Sequence, residues 1–168
     1  GMDAFAWCTA LDTVNLPYSV STIGSAAFRN CSSLNSINVP DGVQSIGYET
    51  FRDCKSLKTI PLPESVNQIG KSAFENCYKL EQITMPTQLT ELGERAFFSC
   101  QNLQSIAIPN GITSIGKYTF FYCEKLTGAV IPEGVTTVGT YAFGYCRKLY
   151  SLQIPASITS LADDALYY

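Results

Sequence analysis

Apolar side chains recur along this chain in a fixed phase. Counting each cysteine as position zero, position +3 is leucine in every unit, running through Leu11, Leu34, Leu57, Leu80, Leu103, Leu126 and Leu149. Position +8 is Leu16, Val39, Leu62, Met85, Ile108, Ile131 and Ile154, and proline follows at +9 from Pro17 to Pro155. Val, Ile or Leu fills +12 and +15 throughout, as in Val66 with Ile69. Phenylalanine stands at +20 from Phe28 to Phe143, with Phe5 ahead of the first cysteine and Leu166 in its place at the end. The cysteines themselves, Cys8, Cys31, Cys54, Cys77, Cys100, Cys123 and Cys146, are each 23 residues from the next, without insertion or deletion. Polar residues fill the gaps, so the unit reads C-x2-L-x2-I-x-I-P-x2-V-x2-I-G-x2-A-F-x2.

A period of this length with leucines spaced L-x2-L-x-L is the pattern of a leucine-rich repeat, in which each unit adds one strand to a parallel sheet. One 23-residue unit cannot bury its own apolar side, but stacked units bury each Leu, Ile and Phe against its copies, in ladders at roughly 5 Å. The predicted fold is a leucine-rich-repeat solenoid: a right-handed α/β, mainly β, superhelix of 23-residue coils with a parallel sheet and short helical turns only. The run Leu34 to Val39 has strand periodicity, and the proline after it lacks the N–H that would extend the ladder. Gly24, Gly47, Gly70, Gly93, Gly116 and Gly139 at +16 suggest a turn with positive φ, leaving A-F-x2-C room for one helical turn. Pro61, Gly128-Ala129 and Ala162 depart from the pattern and are expected to weaken local strand pairing. Residues 2–168 are expected to form one repeat domain of about seven units, beginning mid-unit at Ala4-Phe5 and ending mid-unit at Tyr168, with both ends uncapped. Gly1 before Met2 resembles the remnant of a cleaved tag.

Composition narrows the chemistry. Histidine is absent, which removes the usual general base, the commonest zinc ligand and the His-containing triads, so no enzyme activity and no catalytic residue is expected. Lys and Arg number 11 against 14 Asp and Glu, without runs of like charge, which argues against nucleic acid. No apolar run is long enough to span a membrane. One cysteine per unit, flanked by Leu and Phe columns, indicates buried thiols packing as small hydrophobes; a linear ladder gives neither disulfides nor converging metal ligands. No cofactor or metal is expected, and the pairs Asp163-Asp164 and Glu91 with Glu94 read as solvated surface charge. The sequon Asn30-Cys31-Ser32 holds a core cysteine and is incidental.

The unit closely resembles the BspA-type leucine-rich repeat, whose hallmark is C-x2-L-x2-I-x-I-P followed by V-x2-I-G-x2-A-F, over nearly the whole chain. The resemblance implies an extracellular or surface-attached protein of a host-associated microbe, adhering to host matrix proteins, other cell-surface proteins or glycans, and it supplies no catalytic residues. On that basis the chain is expected to be a cell-surface or secreted adhesion module presenting a rigid repeat surface to host protein or glycan. The alternatives are a passive spacer or an accessory module of a larger surface enzyme.

Two candidate partner-binding surfaces follow from the register. The outward strand positions, expected on the concave face, carry Asn15, Asn38, Thr84 and Gln153. On the A-F-x2-C side, aromatic residues enter non-core positions only in the later units: Tyr118 and Tyr141 share +18, Phe98, Phe121 and Tyr167 share +21, and Tyr122, Tyr145 and Tyr168 share +22. The same places hold Arg29, Asn30, Arg52, Asp53 and Asn76 earlier in the chain. Uncapped edge strands, through Leu11 to Leu16 or the terminal coil, are also expected to favour end-to-end self-association.

Overall fold

The computed structural model describes residues 1–167, which stack as successive coils with matching residues one repeat apart; Tyr168 lies outside the described residues. Each coil has three runs. The first is the expected strand. Thr13–Val14 pairs in parallel with Ser36–Ile37, and Ser105–Ala107, Gly128–Val130 and Ser151–Gln153 pair in turn, Ser105 opposite Gly128 and Gly128 opposite Ser151. Between these groups, among the described residues, a single bridge joins Thr59 to Gln82. Pro61 sits two residues beyond Thr59 and has no N–H to donate, so pairing thins there as the sequence suggests. The Gly128-Ala129 departure has the opposite outcome, since its strand is paired on both sides. The ladder is made of main-chain groups, and Ala129, still buried, keeps the inward position.

After the strand the chain turns a corner in which each +9 proline carbonyl accepts the N–H of the +12 residue, from Pro17 and Val20 at 3.0 Å to Pro155 and Ile158 at 3.4 Å. The second run is a further strand at +14 and +15 that the sequence pattern does not announce. Ser45–Ile46, Gln68–Ile69 and Glu91–Leu92 form one parallel sheet, and Ser114–Ile115, Thr137–Val138 and Ser160–Leu161 another. Two-residue strands offer no alternation to detect.

The third run, +16 to +22, was expected to contain a helical turn, and among the described residues it contains no helix. Positions +18 and +22 have positive φ in successive coils, for example Ala26 at 55°, Asn30 at 59°, Glu49 at 53° and Asp53 at 60°. A right-handed helix cannot accommodate that alternation. Instead the amides alternate in duty. Ala27 and Cys31 donate within the coil to Gly24 and Phe28 at 3.2 and 3.1 Å, closing β-turns with the positive-φ residue third, as in type II. Ala26, Phe28 and Asn30 donate across to the carbonyls of Tyr48, Thr50 and Arg52 at 2.8 to 2.9 Å. The wall is therefore a third ladder, which a helix would forbid by using its N–H groups internally.

This arrangement also corrects the reading of the +16 glycines. None has positive φ. Several are needed because successive main chains touch there: a Cβ on Gly93 would lie 2.4 Å from the Lys71 nitrogen and 2.5 Å from the Gly70 carbonyl carbon. On Gly24 it would lie 2.4 Å from Gly1 main-chain atoms, whereas at Gly47 the nearest atom is 3.5 Å away.

Inside, the +20 rings form one stack from Phe5 to Phe143, with centroids 5.1 to 5.6 Å apart and planes within 19°. Neighbouring aromatic pairs of this kind contribute about 0.5–1.5 kcal/mol each beyond area burial. Beside the stack, each thiol from Cys31 to Cys146 donates to the phenylalanine carbonyl of the preceding coil at 3.1 to 3.3 Å, as Cys54 Sγ does to Phe28. All seven cysteines are free; Cys8 is exposed and the other six are buried. Burial pushes the Cys31 thiol up to about 11 and the Cys146 thiol to about 12, and holds those of Cys54, Cys77, Cys100 and Cys123 well above their usual range.

The packing can be tested at the glycines and at the thiols. Gly93→Ala forces main chains apart and costs roughly 1–3 kcal/mol in denaturant unfolding, whereas Gly47→Ala is neutral or slightly stabilising; equal losses at both sites would refute the close-approach account. For the thiols, native protein reacts quickly with a disulfide reagent at one site, Cys8, and at all seven once unfolded. Because the buried thiols hold their protons more tightly when folded, their stabilisation is complete below pH 9, the ordinary thiol value. It is lost as pH rises from there towards 12, by up to about 1.4 kcal/mol per thiol per pH unit. Replacing Cys77 and Cys100 by alanine shallows that alkaline slope by roughly a third, and an unchanged slope counts against the linkage.

Candidate partner-binding surface

The third ladder fixes the main chain of the turn wall, so the side chains at +18, +21 and +22 project from a regular lattice. In the earlier coils this lattice is ionic. Glu49 receives Arg29 at 3.0 Å and Arg52, which also reaches Glu75 at 3.4 Å, and Glu75 receives Arg95 at 3.2 Å. Both carboxylates are buried beneath half-exposed guanidinium groups. Burial opposes the charge on Glu49, but the Tyr48 phenol, Arg52 and Arg29 outweigh it and hold the carboxyl below its usual range.

From Phe98 onward the same columns become aromatic. Tyr118 stacks on Tyr141 at 5.4 Å and 17°, and Tyr122 on Tyr145 at 4.7 Å and 26°. Phe121 lies between these two columns. It stacks on Phe98 at 5.2 Å and meets Tyr118, Tyr122, Tyr141 and Tyr145 edge-on at 4.5 to 5.7 Å. Tyr167 sets its ring edge-on to both Tyr141 and Tyr145 at 5.7 Å. The rings are half-buried, and Tyr167 is 50% exposed.

Arg95 is the hinge between the two halves. Its Nε binds Glu75 while its guanidinium lies 4.2 Å over Phe98 and 5.5 Å over Tyr118. At the other side Arg147 stands 5.9 Å over Tyr145. Gly144 occupies the +21 place between Phe121 and Tyr167, and a Cβ there would come within 2.8 Å of the Phe121 ring. The absence of a side chain thus seats the central ring of the cluster.

The eleven residues singled out from the sequence fall on two faces. Tyr118, Phe121, Tyr122, Tyr141, Tyr145 and Tyr167 come together on the wall, with Tyr168 beyond the described residues. Asn15, Thr84 and Gln153 are exposed along the first ladder, spread over several coils. Asn38 is already engaged: its Oδ1 accepts the Leu16 N–H at 2.6 Å and its Nδ2 donates to the Leu16 carbonyl at 2.9 Å, extending the main-chain ladder sideways. Sequence reasoning passed over Arg95, Arg147 and Gly144. Arg95 shares the +18 phase with Tyr118 and Tyr141, and Gly144 is the break in the column Phe98, Phe121, Tyr167, so column phase carried a signal for both.

Four of the rings stand on strained backbone. Tyr118, Tyr122, Tyr141 and Tyr145 have φ between 55° and 59°, where an aromatic residue is disfavoured and asparagine is at home. Among the described residues no group of three potential ligands is placed to hold a metal ion, and no helix is long and apolar enough to cross a membrane.

Solved structures with the same coil are found among bacterial proteins. A leucine-rich repeat protein of Bacteroides ovatus superposes with a TM-score of 0.95 at 36% identity, over 99% of this chain and 43% of its own. The T. pallidum leucine-rich repeat protein matches at 0.83 and 34% identity, over 88% of this chain and 69% of its own. A leucine-rich cell surface protein of Faecalibacterium prausnitzii matches at 0.70 and 31%, over 86% and 48%. The chain thus spans less than half the length of the B. ovatus and F. prausnitzii proteins. No curated protein matches it. The family model for the BspA type leucine rich repeat region fits in six copies over residues 1–127 and 49–168, and the chain belongs to that family.

Proposed function

We propose that this chain is a binding module of a bacterial cell-surface or secreted protein, and that its aromatic wall from Phe98 to Tyr167 contacts a macromolecular partner, host protein or glycan. The observation that carries the reading is the cluster of seven rings at positions the core does not use, four of them on backbone that favours asparagine. The fold is complete without them, since earlier coils place Asn30, Asp53, Ser72 and Asn76 at the same phases. Large, stiff, amphipathic side chains gathered in one partly exposed patch supply contact area at little entropic cost, which is the chemistry of recognition surfaces. The surface description of the F. prausnitzii relative supports the location. The engagement of Asn38 with Leu16 favours the wall over the strand face as the main contact.

The test is a panel of immobilised host matrix proteins and glycans, probed with the chain and with Tyr122→Asn/Tyr145→Asn. The double variant relieves positive-φ strain, so its melting temperature stays within a few degrees while binding falls at least tenfold. Gly144→Ala, which displaces Phe121, lowers affinity in the same direction without removing a ring. Binding unaffected by either change would move the site off the wall, and no ligand on the panel would favour a passive spacer.

A further inference from the structure

The atoms that the wall offers its partner are selective. Stacking within the columns, at 17° to 26° and 4.7 to 5.4 Å, uses the ring faces on one another. The leading faces of Phe98 and Tyr118 are covered by the Arg95 guanidinium, and Arg147 lies over Tyr145. The wall thereby offers ring edges, which carry the positive end of the aromatic quadrupole, together with phenol hydroxyls and guanidinium N–H groups. Sugar rings are gripped by open aromatic faces, and here the facing sides of each stacked pair are taken up by the neighbouring ring.

Resting on the wall as the binding surface, we infer that the partner is an acidic, extended stretch of polypeptide whose carboxylates and main-chain carbonyls are received by the ring edges, phenols and guanidinium groups. The charge distribution agrees. Residues 1–94 carry six basic against ten acidic side chains, whereas from Arg95 onward there are five basic against four acidic. An acidic segment is repelled by the first part of the solenoid and accepted by the second. Arg95 spends its Nε on Glu75, and a guanidinium laid on a ring still directs N–H donors sideways to a carboxylate. Asp163 and Asp164 bound the surface at its far end, so the contact runs from Arg95 to Arg147. Two coil steps of about 5 Å accommodate an extended segment of about three residues.

The experiment is selection from a displayed library of random peptides, about twelve residues long, on the intact chain with counter-selection on Tyr122→Asn/Tyr145→Asn, run beside a glycan array. Wall-dependent binders are expected to be several-fold enriched in Asp and Glu over the starting library. Arg147→Ala weakens them roughly tenfold, the loss of one charge-assisted hydrogen bond, and added salt weakens them further. Wall-dependent peptides without acidic enrichment, or tyrosine-dependent binding confined to glycans, overturns this inference and leaves the wall as the binding surface. No tyrosine-dependent binder of either kind overturns both.

Discussion

The main-chain hydrogen bonds between coils set everything else in this protein. They run in both directions. At the first strand donation goes both ways, from later coil to earlier as Asn35 does to Asp12 and from earlier to later as Ile131 does to Gln153, whereas along the wall the earlier coil donates to the later, as Ala26 does to Tyr48. A coil is thereby held at three places, first strand, second strand and wall, each with its own registration on the neighbour. One extra residue would satisfy one ladder and misalign the next, which gives a physical reason for units of constant length. The same clamping brings Gly70 against Gly93 and each cysteine from Cys31 to Cys146 under the preceding phenylalanine carbonyl. Side chains of equal phase must then stack, whatever their chemistry.

That constraint explains which parts of the fold were readable. Leu34, Phe74 or Cys100 declares its place by repetition, because a residue buried against its own copies must be compatible with them. The parallel sheet and the ring stack follow from phase alone. Conformation within the wall does not. Ala26, Glu49 and Ser72 share a backbone state that none advertises, and the short apolar-glycine-alanine-phenylalanine run suits a helical turn equally well by propensity. The alternation of amide duties is decided by the neighbouring coil, a non-local effect. The +16 glycines misled for a related reason: glycine marks either unusual φ or close approach, and only the adjoining coil distinguishes the two.

The surface was legible to the same degree. Repetition placed Tyr118 over Tyr141 and Tyr122 over Tyr145, because identical phases in adjacent coils must meet. It did not show that Phe121 would become the hub, since that depends on Gly144 leaving room in the next coil. Nor did it reveal Arg95 turning from Glu75 to Phe98, a junction visible only when ionic and aromatic columns share one lattice. Asn38 illustrates the converse. An exposed polar residue on a strand looks available, but its amide has the geometry of a peptide group and closes on Leu16.

Division of labour follows from a wall whose main chain carries the structure. The side chains at +18, +21 and +22 contribute little that the ladder does not already provide, so their chemistry is free to differ between coils. In the first half that freedom is taken up by buried carboxylates under arginines, a closed set in which each charge is answered internally and little is offered outward. In the second half it is taken up by tyrosines on backbone that disfavours them by something on the order of 1 kcal/mol each. Ring stacking returns part of that cost, but asparagine would avoid it altogether. Rings that add strain at positions where asparagine would not are what support reading this wall as a contact surface.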